Sequence, residues 1–162
     1  MIIAVSGTPG TGKTEIAKAL AERLKWKFID LNKLAEENQF YLGYDEKRGC
    51  KIVDIEKTRK EIEKLKGNCV LESHYAHDMP ADTVIILRAN PGELRKRLEK
   101  RGWSGEKIEE NIEAEIMEVC KTEALEQGKK VKEVDTTGKS VSQVVEEIIK
   151  ILNKNPGPEE RN

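Results

Sequence analysis

The chain has 162 residues, of which 37% are hydrophobic and 36% charged, and a formal net charge of −1. That length carries one domain with a real core but not comfortably two. The near-neutral balance excludes a global electrostatic pull toward nucleic acid or anionic membrane, and no apolar run approaches the roughly 20 residues of a membrane-spanning helix.

Residues 2–5 form a short apolar run that reads as a buried central strand. No basic stretch precedes it, so it is not expected to be a signal peptide. A glycine-rich turn follows. Ile16, Ala17, Leu20, Ala21 and Leu24 then recur at helical spacing to about residue 25. A second short strand is predicted at 27–30 and a helix at 32–39. Residues 40–54, with Gly43 and Gly49, read as an excursion from the main fold. Ile55, Ile62 and Leu65 mark a helix stopped by Gly67. Residues 69–71 and 83–87 are a third and a fourth buried strand. Asn90-Pro91 opens a helix that runs to Arg101 and stops at Gly102. One long polar helix is predicted over 107–126, and a fifth strand at 131–134. Val141, Val144, Val145, Ile148, Ile149 and Leu152 line one face of a last helix. Residues 1–153 are therefore expected to be a single domain, and 154–162 a polar, disordered tail.

Short apolar strands alternating with amphipathic helices imply an α/β architecture. The expected form is a three-layer fold, a five-stranded parallel sheet with helices on both faces. The polar insertions near 30–54 and 101–107 fall where loops cover a site at the carboxyl ends of such strands.

Gly7-Thr8-Pro9-Gly10-Thr11-Gly12-Lys13-Thr14 matches G-x-x-x-x-G-K-[ST]. The glycines let the backbone fold into a nest of N–H groups around phosphate oxygens, and the following helix points its positive dipole end at the same anion. Lys13 is placed to reach the β- and γ-phosphates, and the Thr14 hydroxyl to ligate magnesium. Because the motif follows a buried strand and opens an amphipathic helix, the chain is predicted to bind a nucleoside triphosphate.

Arg97 and Arg101 lie four apart on one helix face, beside the glycine-flanked segment Gly102-Trp103-Ser104-Gly105. That suits a lid whose guanidinium groups close over the transferring phosphoryl; the alternative is a solvated helix face, since Glu93, Arg95, Lys96, Glu99 and Lys100 surround them. Glu72 ends the third strand and either holds magnesium through water or caps the next turn. Asp30 ends the second strand and has the same two readings. Both histidines lie in the stretch Leu71-Glu72-Ser73-His74-Tyr75-Ala76-His77-Asp78. Two histidines do not complete a zinc site, and Cys50, Cys69 and Cys120 are neither clustered nor even in number, so neither zinc nor a disulfide framework is expected. His74 is the candidate near the γ-phosphate; His77 and Asp78 read as loop structure.

Three stretches carry a resemblance to a known family: SGTPGTGKT at 6–14, LAEENQFYLGYDEKRGCKIVD at 34–54, and ESHYAHDMPADTVIILRANPGELRKRLEKRGW at 72–103, with NIEAEI at 111–116 as a weaker fourth. The chain resembles the nucleoside monophosphate kinases, and among them the atypical adenylate kinases, the family of adenylate kinase isoenzyme 6, the coilin-interacting nuclear ATPase and archaeal relatives. The resemblance implies a P-loop NTPase fold with a monophosphate-binding region near 30–53 and a short lid near 100–110. It implies transfer of the γ-phosphoryl of ATP to AMP or a similar monophosphate with Mg²⁺, and slow ATPase activity beside it. It also implies a role in late maturation of the small ribosomal subunit, through a ribosomal protein and the pre-ribosome, in the cytoplasm or, in a eukaryote, the nucleus. Neither membrane association nor sequence-specific nucleic-acid binding is expected. Carried over by position, Gly10, Gly12, Lys13, Thr14 and Glu15 form the ATP site, with Arg101 in the lid. One position departs from the pattern. The family has an arginine for the acceptor phosphate where this chain has Glu36, and Arg48, Arg59 and Arg88 are the substitutes on offer.

An acceptor phosphate is already anionic at neutral pH, so transfer to it needs no general base. Hydrolysis instead needs a group that orients water, for which His74 is best placed. Two alternatives stand beside the kinase. One is an ATP-driven assembly switch; the other is a small-molecule alcohol kinase, which would need a carboxylate such as Asp30 beside a hydroxyl.

Overall fold

The computed structural model describes residues 1–154. The chain opens with β1 (Ile2–Gly7), α1 (Lys13–Leu24), β2 (Lys27–Asp30) and α2 (Leu31–Asn38). A hairpin of β3 (Tyr41–Asp45) and β4 (Cys50–Val53) leads into α3 (Ile55–Glu63). Next come β5 (Cys69–Glu72), a 3₁₀ turn at Ala76–Asp78, β6 (Thr83–Arg88) and α4 (Pro91–Lys100). α5 (Gly105–Ile116), α6 (Val119–Glu126), β7 (Val131–Asp135) and α7 (Val141–Lys154) complete it.

The five main strands form one parallel sheet in the order β2-β5-β1-β6-β7, with helices on both faces, as the alternating pattern predicts. Parallel strands covered on both sides need apolar residues throughout, and Ile3, Ala4, Val5, Val70, Leu71, Ile85 and Leu87 are all fully buried. Each of the larger side chains contributes about 1.5–3 kcal/mol by leaving water. One face packs Ile16, Leu20, Val144 and Ile148 of α1 and α7; the other packs Leu31, Ile62, Met79 and Ala124 beneath α2, α3 and α6. A third, smaller cluster of Leu94, Leu98, Ile108 and Ile112 joins α4 to α5, with Trp103 against it.

β1 lies between β5 and β6, and its register pairs Val5 with Glu72 and Gly7 with Leu87. β1 and β6 end together, and β5 ends two residues short of them at Glu72, which opens a crevice at the carboxyl ends of the central strands, where such sheets bind ligands.

Three local expectations change. The helix predicted over 107–126 is two helices, broken at Met117-Glu118, where Glu118 takes a left-handed φ of 54°. At the break the Arg88 guanidinium engages both the Glu115 carboxylate and its main-chain carbonyl, each at 2.8 Å, and the same carbonyl accepts from the Glu118 N–H at 3.1 Å, a tighter bond than the α-helical one that would continue the helix. The turn then lays α6 back on the sheet with Ala124 buried. The excursion at 40–54 is an antiparallel hairpin standing outside the main sheet, with a bulge between Tyr41 and Gly43. α7 continues through Lys154, the first residue of the expected tail, and the rest of that tail lies outside the described residues. Among the described residues no helix is long and apolar enough to cross a membrane.

Candidate active site

The segment between β1 and α1 has the shape its glycines foretold. Gly10 and Gly12 take φ of 94° and 87°, and Gly12 occupies the cap position of α1. A Cβ on Gly10 would lie 2.8 Å from Leu94 Cδ1, so only glycine fits between the loop and α4. Thr11, fully buried, ties the loop to itself through its hydroxyl on the Thr8 carbonyl at 2.8 Å. The result is a rigid concavity of N–H groups at a helix N-terminus, an anion site by construction.

Lys13 and Thr14 begin α1 and Glu72 ends β5, and the structure brings all three together. Thr14 Oγ1 donates to Glu72 Oε1 at 3.1 Å. Lys13 is buried, with Nζ on the Thr8 carbonyl at 3.3 Å. Burial lowers its pKa to about 8; Glu72 opposes that shift and Arg101 adds to it. Glu72 is itself buried, and burial raises its pKa against the pull of Lys13. A hydroxyl and a carboxylate side by side are the hard oxygen donors that suit Mg²⁺, and burial penalises the Glu72 charge, which a cation there would relieve. Thr14 directly, and Glu72 directly or through water, are the residues that fit it. Glu15, also carried over to the ATP site, is exposed in the first turn of α1.

These groups line a cavity of about 1280 Å³, bounded by the loop residues Thr8 and Pro9, the β3–β4 hairpin, the turn after β5, and helices α5 and α6. A smaller hollow of about 360 Å³ beside α7 is lined only by polar and charged surface side chains such as Glu146 and Lys150. His74 sits on the main cavity wall, exposed to the cavity and packed edge-to-face on Tyr75, ring centroids 5.1 Å apart. Enclosure by the walls lowers its pKa to about 4, with Lys13, His77 and Arg48 pressing the same way, so its ring is neutral at pH 7. Tyr75 is buried, and its hydroxyl has no hydrogen-bond partner among the described residues. Tyr75→Phe is therefore expected to stabilise the fold by about 1 kcal/mol, readable in the denaturation midpoint; a loss of stability would show that the hydroxyl is in fact satisfied.

The structure separates the two arginines that sequence spacing grouped. Arg101 lines the cavity, with its guanidinium 5.9 Å from the Trp103 ring centre, and Lys107 stacks on the same ring at 4.0 Å. Arg97 does not line it. Its guanidinium braces the loop from behind, on the Gly10 carbonyl at 3.2 Å and on Thr136 and Glu93. The segment expected as a lid is a short turn at 101–104 followed by the first turns of α5. Asp30 resolves as a cap: its carboxylate accepts from the N–H groups of Asn32 and Lys33 at the start of α2, while its strand register keeps it beside Glu72.

His77 is more than the loop structure its sequence position suggested. It is buried, and it bridges Ser6 Oγ at 2.7 Å and Glu123 Oε2 at 2.8 Å. An ionised carboxylate can only accept, so Nε2 donates to Glu123, while Nδ1 pairs with the Ser6 hydroxyl. The bridge links α6 to the last residue before the phosphate loop. His77, Asp78 and Glu123 offer ligand atoms within 4.8 Å of one another, but these are already paired, Asp78 with Gln127 at 2.6 Å. No local pattern revealed Glu123, which lies 46 residues from its partner.

Comparison with known proteins agrees with this geometry. A family model described as AAA domain matches residues 3–118. A protein of Methanosarcina barkeri named "Putative adenylate kinase" is 47% identical, covering 94% of this chain and 86% of its own length. One of the same name from Pyrococcus furiosus is 46% identical, covering 94% and 84%. Among solved structures, a deoxyadenosine kinase of M. mycoides superposes with a TM-score of 0.64 at 20% identity, covering 95% of this chain and 99% of its own. A shikimate kinase of Bacteroides thetaiotaomicron does so at 0.61 and 18%, covering 94% and 98%. At those identities the solved structures establish the shared three-layer P-loop fold. The close relatives go further, and by them the chain belongs to the AAA-domain P-loop proteins and, within these, to the atypical adenylate kinase family.

Proposed function

We propose that this protein transfers the γ-phosphoryl of ATP to a nucleoside monophosphate, AMP foremost, and hydrolyses ATP slowly beside that reaction. One observation carries the reading: Lys13, Thr14 and Glu72 converge under the phosphate loop at one end of a cavity large enough for two nucleotides. The relatives' names support the choice of acceptor.

In this mechanism the loop N–H groups and Lys13 hold the donor phosphates, and Arg101 approaches from the end of α4 to neutralise charge on the moving phosphoryl. Thr14 and Glu72 would hold Mg²⁺, which when bound would supply the remaining neutralisation. No side chain has to remove a proton, since the acceptor oxygen is already ionised. Asp30 spends Oδ1 on its cap and does not line the cavity, so it is poorly placed to be the base an alcohol kinase requires.

The test is ADP formation from ATP and Mg²⁺ with and without AMP, CMP, GMP or UMP. Strong stimulation by AMP supports the reading; none from any of the four leaves an ATPase. His74 is neutral and faces the cavity, so His74→Ala is expected to lower hydrolysis more than AMP phosphorylation, by about tenfold. Equal losses in both reactions would remove it from a water-orienting role. An ATP-driven role in small-subunit maturation, through a ribosomal protein, rests on the family resemblance alone. Binding of the purified protein to pre-ribosomal particles, with and without ATP, tests it.

A further inference from the structure

How the acceptor is held needs explaining, because Glu36, standing where related kinases carry an arginine, is exposed on α2 and does not line the cavity. Of the described arginines, only Arg48 and Arg101 do. Arg59 is spent on the Asp78 carbonyl, at 3.2 and 3.1 Å, and on the Glu56 carboxylate. Arg88 pairs with Glu115, Glu118 and Glu133, and its withdrawal would leave the buried Glu115 carboxylate without its cation. Arg48 is placed differently. It lies in the turn between β3 and β4 with its side chain largely exposed, and its guanidinium meets Glu110 of α5 at 2.7 Å and Asp45 at 3.8 Å. An ion pair thus ties the hairpin to α5, and both of its members line the cavity.

We propose that Arg48 holds the phosphate of the acceptor nucleotide, and that Glu110 competes for the same guanidinium, so that the hairpin–α5 ion pair opens as the acceptor enters. The inference rests on the kinase reading above. An exposed ion pair contributes little to stability, so opening it costs little. A phosphate monoester carries nearly two negative charges and three acceptor oxygens, which match the guanidinium fork better than one carboxylate does. The acids Glu106, Glu109, Glu110 and Glu113 of α5 line the cavity and repel a phosphate along that helix, whose one cation, Lys107, is stacked on Trp103. The hairpin arginine is then the favourable place for it.

The experiment is steady-state ADP formation at saturating ATP and Mg²⁺, titrated with whichever of AMP, CMP, GMP and UMP stimulates most. Arg48→Ala should raise the KM for that monophosphate about 10- to 100-fold, while the KM for ATP moves less than about twofold. Arg48→Lys should recover part of the loss. Glu110→Gln, which removes the competitor, should lower the monophosphate KM about two- to fivefold. Both residues are exposed, and thermal midpoints within about 2 °C of the parent will confirm that the variants fold. An unchanged monophosphate KM in Arg48→Ala, or a raised one in Glu110→Gln, overturns the assignment and leaves the kinase reading intact. A parent protein that no monophosphate stimulates overturns both.

Discussion

Lys13→Met should reduce phosphoryl transfer by about two to three orders of magnitude while making the ligand-free protein more stable. Both effects have one origin. The ammonium is held in a buried position because the reaction needs it there, and burial lowers its pKa from 10.5 to about 8. A lysine whose folded pKa lies below its unfolded value opposes folding wherever both forms are charged. That cost is fully present below pH 8 and fades as pH rises from about 8 to 10.5. At 1.36 kcal/mol per pH unit, and allowing for the hydrogen bond lost at Thr8, removing the charge should stabilise the protein by about 2 kcal/mol at pH 7. The pull of Glu72 is already contained in the lowered value, so its loss adds no separate cost. The gain should shrink toward pH 10. Denaturation of both proteins at pH 7 and pH 10 measures this; a less stable variant at pH 7 would mean that Lys13 is stabilising where it sits. The same titration predicts that kcat/KM for ATP falls above about pH 8, as the free enzyme loses the cation that meets the phosphates.

The second large effect belongs to His77. Its replacement by alanine removes two hydrogen bonds, strands the fully buried Ser6 hydroxyl and opens a hole beneath α6. Together these should cost about 3 kcal/mol, seen as a lower denaturation midpoint with an unchanged slope. A change below about 0.5 kcal/mol would show that the bridge contributes nothing net. Because Ser6 directly precedes Gly7, ATP affinity should fall as well, in contrast to Tyr75→Phe, which removes an unpartnered hydroxyl from the same turn.

Much of this molecule was legible before any coordinates. The phosphate loop was readable because its signal is local: glycines at the positive-φ positions, a lysine and a threonine at fixed offsets, a buried strand before and an apolar helical stripe after. The central strands β5, β1 and β6 were readable for the same reason, since strands covered on both faces are apolar through most of their length, whereas the edge strands β2 and β7 carry charged residues such as Lys27 and Lys132 and show only a short apolar signal. Boundaries set by distant partners were not readable. The predicted 107–126 helix breaks where Arg88, 27 residues from Glu115, holds that residue's carbonyl, and helical periodicity carries no trace of such a contact.

The candidate site divides along the same line. Sequence by itself determined that an anion would be held between β1 and α1, and named Lys13, Thr14 and Glu72 as the groups around it. Packing then set which of several similar side chains face the site. It turned Arg97 to brace the loop and left Arg101 in the cavity. It spent Asp30 on a helix cap. It made His77 a buried link to Glu123 and paired Arg48 with Glu110, 62 residues away, on the cavity wall. Residue type and spacing state what a side chain can do; which partner consumes that capacity depends on contacts between segments far apart in the chain, and those exist only once the sheet and its helices have packed.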